Sequence, residues 1–384
     1  SNMCRGCVAH PCMQACPKGA ISMKDGKSYI DQEKCIKCGK CKAACPYDAI
    51  SHNVRPCEQA CGVKAIGSDE QGRASILEDK CVSCGMCMVS CPFGAISDKS
   101  QIFQLSHALR DGDKIIAIVA PAYISQFGDD VTPGKFKTAL QVLGFSDVHE
   151  VAFGADVGAI SEAHHYAKEV ATGNLPFLLT SCCPSWSMMA KKFFPTMIDN
   201  ISQELTPMVA TARKVKQEQP DAKVVFIGPC ASKKLEAMRR TVRSDVDFVL
   251  TFEELDAMFD AREIDPASFE EDGSLHDATA AGRGYAVAGG VAGAIEACLK
   301  EYYPNVPVHI EHAESLAECK KVLALAKAGK LNGCMIEGMA CPGGCMGGAG
   351  TNVPVAKSSK ELKKFLASCS KKLPPKGLVD IELN

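Results

Sequence analysis

Two twelve-residue runs, CIKCGKCKAACP at 35–46 and CVSCGMCMVSCP at 81–92, repeat one spacing, C-x2-C-x2-C-x3-C-P. No other feature constrains the fold of this chain as tightly. In that run three cysteines hold one [4Fe-4S] cluster while the fourth reaches across to a partner cluster, so the segment must fold around iron. Two looser copies complete a tandem pattern. CRGCVAHPCMQACPKGAI (4–21) aligns with AISHNVRPCEQACGVKAI (49–66) at an offset of 45 residues, and in the second copy Ala49 and His52 stand where the first has Cys4 and Cys7.

Crossed ligation assigns one cluster to Cys4, Cys7, Cys12 and Cys45, and a second to Cys35, Cys38, Cys41 and Cys16. A third takes Cys81, Cys84, Cys87 and Cys61. Cys57 and Cys91 are left over. His52 could join them at a fourth metal site, but loss of that cluster, with His52 a solvated loop residue, is the favoured reading. Residues 4–50 thus read as a dicluster ferredoxin-like module and 51–99 as an eroded module with one cluster. A series of such clusters is an electron wire.

Composition narrows the remaining classes. Fourteen of 23 cysteines fall in the first 91 residues, unlike the loop-spread cysteines of a secreted disulfide scaffold. A reducing, anaerobic cytoplasm is the expected setting. A net charge of -2 argues against a nucleic-acid partner. No apolar run approaches the roughly 20 residues that cross a bilayer, so no membrane role is expected. Residues 1–3 read as a tag remnant.

From about residue 113 the pattern alternates strand-like apolar runs with amphipathic helical stretches, as in an α/β domain. Strands are expected at 114–121, 176–180, 223–228, 247–251, 306–312 and 332–338. Helices are expected at 158–172, 186–194, 205–218, 252–262, 314–329 and 359–370. Three strands run directly into cysteines: Cys182 and Cys183, Cys230, and Cys341 with Cys345. In open parallel sheets ligands bind beyond the carboxyl ends of the strands, so these motifs are placed to converge. Cys182 and Cys183 are neighbours, and adjacent cysteines can hardly bridge each other. The two thiols therefore have different tasks.

The trio TSCCPSW (180–186), GPCASKKLE (228–236) and EGMACPGGCMGGAG (337–350) resembles the three signature segments of the [FeFe]-hydrogenases, in order and in separation. The resemblance covers nearly the whole chain. It implies α+β ferredoxin-like cluster modules followed by an α/β [FeFe]-hydrogenase catalytic domain (100–371) of two lobes with the cofactor between them, and a tail at 372–384. The implied cofactor is the H-cluster, a [4Fe-4S] cube joined to a di-iron unit with CO, cyanide and a dithiolate amine, served by about three accessory [4Fe-4S] clusters. The implied reaction is 2H⁺ + 2e⁻ ⇌ H2. Partners implied with it are protons and H2, a small redox protein such as ferredoxin, and hydrogenase maturation enzymes.

Carried over by position, Cys183, Cys230, Cys341 and Cys345 ligate the cube, and Cys345 also bridges to the di-iron unit. Cys182 stays free as a thiol that hands protons to the cofactor's amine. Lys233 matches the lysine that hydrogen-bonds an iron-bound cyanide, and Glu236 the acid of the same segment, with a helix-surface role as its competitor. Met339 matches a methionine packed over the di-iron unit. Ala120 and Pro121 match the turn that cradles the other cyanide.

Glu162 and Ser202 fall where the family keeps an acid and a hydroxyl that lead protons outward. Glu162, His165 and Glu169 share one face of a helix. His165 replaces the usual outer glutamate and Glu169 the usual surface arginine, leaving histidine to relay protons. Gly228, Ser185, Met208 and Ala349 also depart from the family's usual residues, altering what surrounds the metal's ligands. Cys298, Cys319, Cys334 and Cys369 read as structural. Sensory H2-binding homologues, non-catalytic assembly factors and plain electron-transfer ferredoxins are the alternative functions. Retention of Cys182 and Lys233 argues against the second, and some 270 residues of α/β sequence against the third.

Overall fold

The computed structural model describes residues 3–51, 53–243, 245–271, 275 and 277–383; His52 lies outside the described residues. Two compact units emerge, Ser1–Gln59 and Ala60–Asn384.

The first unit holds α1 (Pro11–Gln14), β1 (Ile21–Lys24), β2 (Lys27–Ile30) and α2 (Lys40–Ala44), with α3 (Pro56–Ala60) at its end. Strands β1 and β2 pair antiparallel, Ile21 opposite Ile30. Asp25 and Gly26 both take positive φ between them, the twist that a two-residue hairpin turn requires. Its core is very small: Cys12, Ile21 and Ile50, with Cys16, Cys41 and Cys45 packed around them. So little apolar surface cannot offset the entropy of ordering the chain, and four of these six residues are cysteines. The unit needs what its cysteines bind.

The second unit opens on a short ladder, β3 (Ile66–Ser68) with β4 (Ala74–Ile76), followed by α4 (Met86–Val89) and α5 (Ile102–Arg110). Two parallel sheets follow. One has the order β6-β5-β8-β9 and joins β5 (Ile115–Val119), β6 (Asp147–Glu150), β8 (Lys223–Ile227) and β9 (Phe248–Leu250). The other, β10-β11-β7, joins β7 (Leu178–Leu179), β10 (His309–Glu314) and β11 (Cys334–Met339). Every residue of β5 is buried, as expected of a central parallel strand.

Helices cover both sheets. In chain order they are α6 (Pro133–Leu143), α7 (Ala152–His165), α8 (Pro184–Phe193), α9 (Pro207–Glu218), α10 (Ala231–Ala237), α11 (Phe252–Ala261), α12 (Ala280–Gly284), α13 (Gly290–Tyr302), α14 (Ser315–Lys327) and α15 (Val355–Ser368). The architecture is ferredoxin-like cluster modules followed by an α/β catalytic domain.

The expected helix at 158–172 begins six residues earlier, at Ala152, and ends in a π-helical turn, Tyr166–Val170. Its first turns carry little amphipathic signal because nearly every residue from Ala152 to Ile160 is buried. Residues 376–383, read as tail, pack instead. Leu378, Ile381 and Leu383 join Val157 and Ala210 in a small apolar cluster, and Arg213 donates to the Leu383 carbonyl at 2.9 Å.

Candidate functional site

Several of the cysteines that the crossed rule groups lie close enough to feel one another. Burial raises the Cys12 thiol, which also feels Cys45 and Cys7, while the Cys41 thiol, likewise raised, feels Cys35 and Cys16. In the second unit burial pushes Cys84 up to about 12, with Cys87, Cys61 and Cys81 adding to it. Backbone N–H groups are aimed at the sulfurs: Ser28 on Cys4 (3.2 Å), Ala20 on Cys16 (3.3 Å), Lys37 on Cys35 (3.4 Å), Ala65 on Cys61 (3.1 Å) and Ser83 on Cys81 (3.4 Å). Such donors stabilise a thiolate and suit iron–sulfur ligation. Cys91 keeps the same loop, with Ala95 N–H at 3.4 Å.

A second set meets in a chamber with largely apolar walls. Strand β7 delivers Cys182 and Cys183, and β11 delivers Cys341 and Cys345. From the other sheet β8 delivers Cys230, and β5 ends at Ala120 and Pro121. Cys183 and Cys230 are the N-caps of α8 and α10, where the helix dipole favours a thiolate. Burial raises all four ligand candidates, Cys230 to about 11; Cys230 also feels Cys183, and Cys341 and Cys345 each feel Cys230 and Cys183. Four mutually repelling thiols in an apolar chamber become thiolates only around a strong positive charge.

Among the described residues, no three His, Cys, Asp or Glu side chains close on a single ion. A cubane offers one iron to each thiolate, so its ligands stand around a void rather than touching a point. The donor set and the chamber fit an iron–sulfur cube with room beside it.

The third accessory set lies against this chamber. Cys341 feels Cys84, and the loop through Gly85 rests on the active-site segments. Gly85 has φ +80°, and a Cβ there would meet Ala349 Cβ at 2.5 Å and Ala231 Cβ at 3.3 Å. Only glycine allows that approach.

Lys233 Nζ donates to Glu236 Oε2 at 2.6 Å and to the Cys182 carbonyl at 3.4 Å. Glu236 is buried rather than on a helix surface, and its other oxygen accepts from Thr206 Oγ1 at 2.7 Å. Burial works against the Lys233 charge, but Glu236 outweighs it and the pKa is raised. Met339 and Met208 also line the chamber. At Gly228 a side chain would strike the Phe226 ring at 2.6 Å, so Phe226 fills the space there and reaches the chamber wall. Trp186 lies flat on Gly338, where a Cβ would fall 2.1 Å from the ring, and its Nε1 donates to the Thr180 carbonyl at 3.0 Å.

Glu162 is 3% exposed and hydrogen-bonds the Ser202 side chain and the Ser181 backbone; burial pushes its carboxyl up to about 8. Burial and Glu162 together hold the Cys182 thiol well above its ordinary range. His165 and Glu169 do not enter the chamber. They line a separate polar cleft with about 1120 Å³ of space, shared with Ser161, His164 and Glu204.

Sequence reasoning missed Glu204, which Glu162 feels across the cleft wall, and Tyr285 and Phe226 in the chamber. It also missed Glu337, whose carboxylate accepts from Gly289 (2.9 Å) and Ala292 (2.7 Å) at the start of α13. A lone acid inside the apolar run CMIEGM was a signal for Glu337. Nothing local marked the others.

Parallel sheets whose strand ends converge on four cysteines define an iron–sulfur oxidoreductase. The profile described as "Iron only hydrogenase large subunit, C-terminal domain" matches residues 113–349, and the chain belongs to that family. A 4Fe-4S binding domain matches 28–51, and the LdpA Fe-S cluster-binding domain 51–102. Iron hydrogenase 1 of Clostridium pasteurianum is 31% identical over 87% of this chain and 67% of its own. The periplasmic [Fe] hydrogenase large subunit of Nitratidesulfovibrio vulgaris is also 31% identical, over 84% and 86%. An [FeFe]-hydrogenase HydA1 structure from Chlamydomonas reinhardtii, variant E141Q, shares the fold with TM-score 0.56 at 21% identity, covering 71% of this chain and 91% of that one. Among the described residues no helix is long and apolar enough to cross a membrane.

Proposed function

We propose that this chain is an [FeFe]-hydrogenase that interconverts protons, electrons and H2 at an H-cluster held by Cys183, Cys230, Cys341 and Cys345. The single observation behind this reading is the chamber, where those cysteines meet Cys182 and Lys233. When bound, the H-cluster supplies the redox-active iron at which H2 is formed or split.

The chain supplies the rest. The Cys182 thiol, partly buried and held well above its ordinary range, keeps a proton at Sγ beside the chamber while the neighbouring Cys183 ligates. Glu162, with its pKa near 8, stays protonated at neutral pH and can pass a proton without first capturing one from water. Ser202 orients that carboxyl. Lys233 presents an ammonium, anchored by Glu236, to an anionic group in the chamber. Apolar walls, Phe226 and Met339 among them, exclude water.

Electrons reach the chamber through the set Cys61, Cys81, Cys84 and Cys87, fed by the clusters of Cys4, Cys7, Cys12 and Cys45 and of Cys16, Cys35, Cys38 and Cys41. A small ferredoxin is the proposed donor, and maturation enzymes install the di-iron unit. None of the 23 cysteines forms a disulfide, which suits a reducing compartment, taken to be the cytoplasm.

The test is H2 evolution from a reduced low-potential donor by matured protein, read together with the infrared bands of iron-bound CO and cyanide. Turnover with intact bands is expected, and Cys182→Ala should keep the bands while losing about 100-fold or more in rate. Missing bands in matured protein would sink the H-cluster. Intact bands without turnover would leave a sensory H2-binding protein.

A further inference from the structure

Tyr285 carries a buried hydroxyl that no protein group hydrogen-bonds, although the residue is only 6% exposed and lines the active-site chamber. Burying an O–H without a partner costs on the order of 1–3 kcal/mol, and of the buried hydroxyls left without one among the described residues (Tyr123, Ser125, Thr180, Ser232 and Tyr285) only that of Tyr285 lines the chamber. The ionisable groups it feels are, in order, Glu162, Cys182, Cys298 and Asp156. The hydroxyl therefore lies near both the thiol and the acid that the proposed relay uses, and it shares the chamber lining with Cys182.

Gly158 stands beside it. A Cβ at Gly158 would lie 3.8 Å from the Tyr285 hydroxyl, with no other atom within 4 Å. Gly158 also lines the polar cleft that holds His165, Glu169 and Glu204. Gly158 precedes Glu162 by one helical turn on the same face of α7. A tyrosine in the chamber and a glycine in the cleft are thus the two sides of one thin wall, thinned where a side chain is missing.

We propose that Tyr285 is a second proton conduit between Cys182 and the polar cleft, parallel to the line through Glu162 and Ser202. The hydroxyl gives its proton to a water on one side and takes one from a water on the other, so it ends each transfer unchanged. Gly158 keeps the cleft end open. This inference rests on Cys182 being the proton-holding thiol of the proposed function.

The test follows replacement of the Cys182 S–H infrared band by S–D when the intact, cluster-loaded chain is moved into D2O, isolated as the difference from Cys182→Ala. With two routes, Glu162→Gln and Tyr285→Phe should each slow exchange only a few-fold, while the double variant slows it by about 100-fold or more. Gly158→Leu in the Glu162→Gln background should reproduce the double variant, because it closes the wall and leaves the hydroxyl in place. Equal exchange in Glu162→Gln and the double variant would overturn the conduit, as would free exchange after Gly158→Leu in that background. H2 turnover by the same proteins separates the two ideas. Absent turnover in the parent sinks the hydrogenase reading but leaves the exchange measurement able to decide the conduit.

Discussion

Replacing Glu162 by Gln removes a titrating group from the interior and keeps its shape. In the folded chain burial holds the Glu162 carboxyl at about 8 against an ordinary 4.5. At about 1.4 kcal/mol per pH unit, that difference corresponds to about 5 kcal/mol. The sign follows from proton counting. Between pH 4.5 and 8 the folded chain keeps a proton that the unfolded chain releases, so stability falls as pH rises through that window. Below 4.5 both states are protonated and the contribution is whole; above 8 the loss is complete. Gln titrates in neither state, so the variant lacks this slope. Thermal midpoints of cluster-loaded parent and variant, measured pairwise from pH 5 to 9, should coincide near pH 5 and diverge in the variant's favour toward pH 9. All other titrating groups cancel in the difference. In infrared difference spectra between the two, a protonated carboxyl band should persist at pH 7 and vanish by about pH 9. Parallel melting curves, or a carboxylate band already present at pH 6, would refute the burial argument and with it the idea of a relay acid loaded at neutral pH.

Glu236→Ala leaves the Lys233 ammonium buried without its partner and should lower stability by about 3–5 kcal/mol, seen as a lower denaturation midpoint and reduced iron loading. Lys233→Met made with it should recover much of the stability but not the turnover. Gly338→Ala places a methyl inside the Trp186 ring contact and should cost about 3 kcal/mol or more by the same midpoint measurement, with a shifted tryptophan emission. Cys84→Ala should remove one accessory cluster, about four iron atoms by metal analysis, and slow donor-driven H2 evolution while the CO and cyanide bands remain.

What the letters disclosed and what they hid divides along physical lines. Cysteine spacing is a local record of metal geometry, and strands that run into Cys183, Cys230 and Cys341 disclosed a convergent site because parallel sheets place their carboxyl ends together. Polar β6 escaped notice because it is an edge strand, with Asp147 and His149 only partly covered. Helix α6 was missed although Thr132 caps it, Pro133 opens it and Gly144 closes it with φ +118°. Those signals were readable. Tyr285, Phe226 and Glu204 were not, because their importance lies in what stands opposite them, on elements far away in the chain. For Glu236 a helix-surface role competed with its place in the motif until the fold showed it buried against Lys233.

Three of the four proposed cube ligands hang from the sheet β10-β11-β7, and the fourth, Cys230, hangs from the sheet β6-β5-β8-β9. Iron placed there acts as a rivet through two plates. In a cell starved of iron the plates lose their fastener, and the seam between them becomes the place where a protease would first find slack chain. Nutrient supply would then set how long the polypeptide survives as well as whether it works.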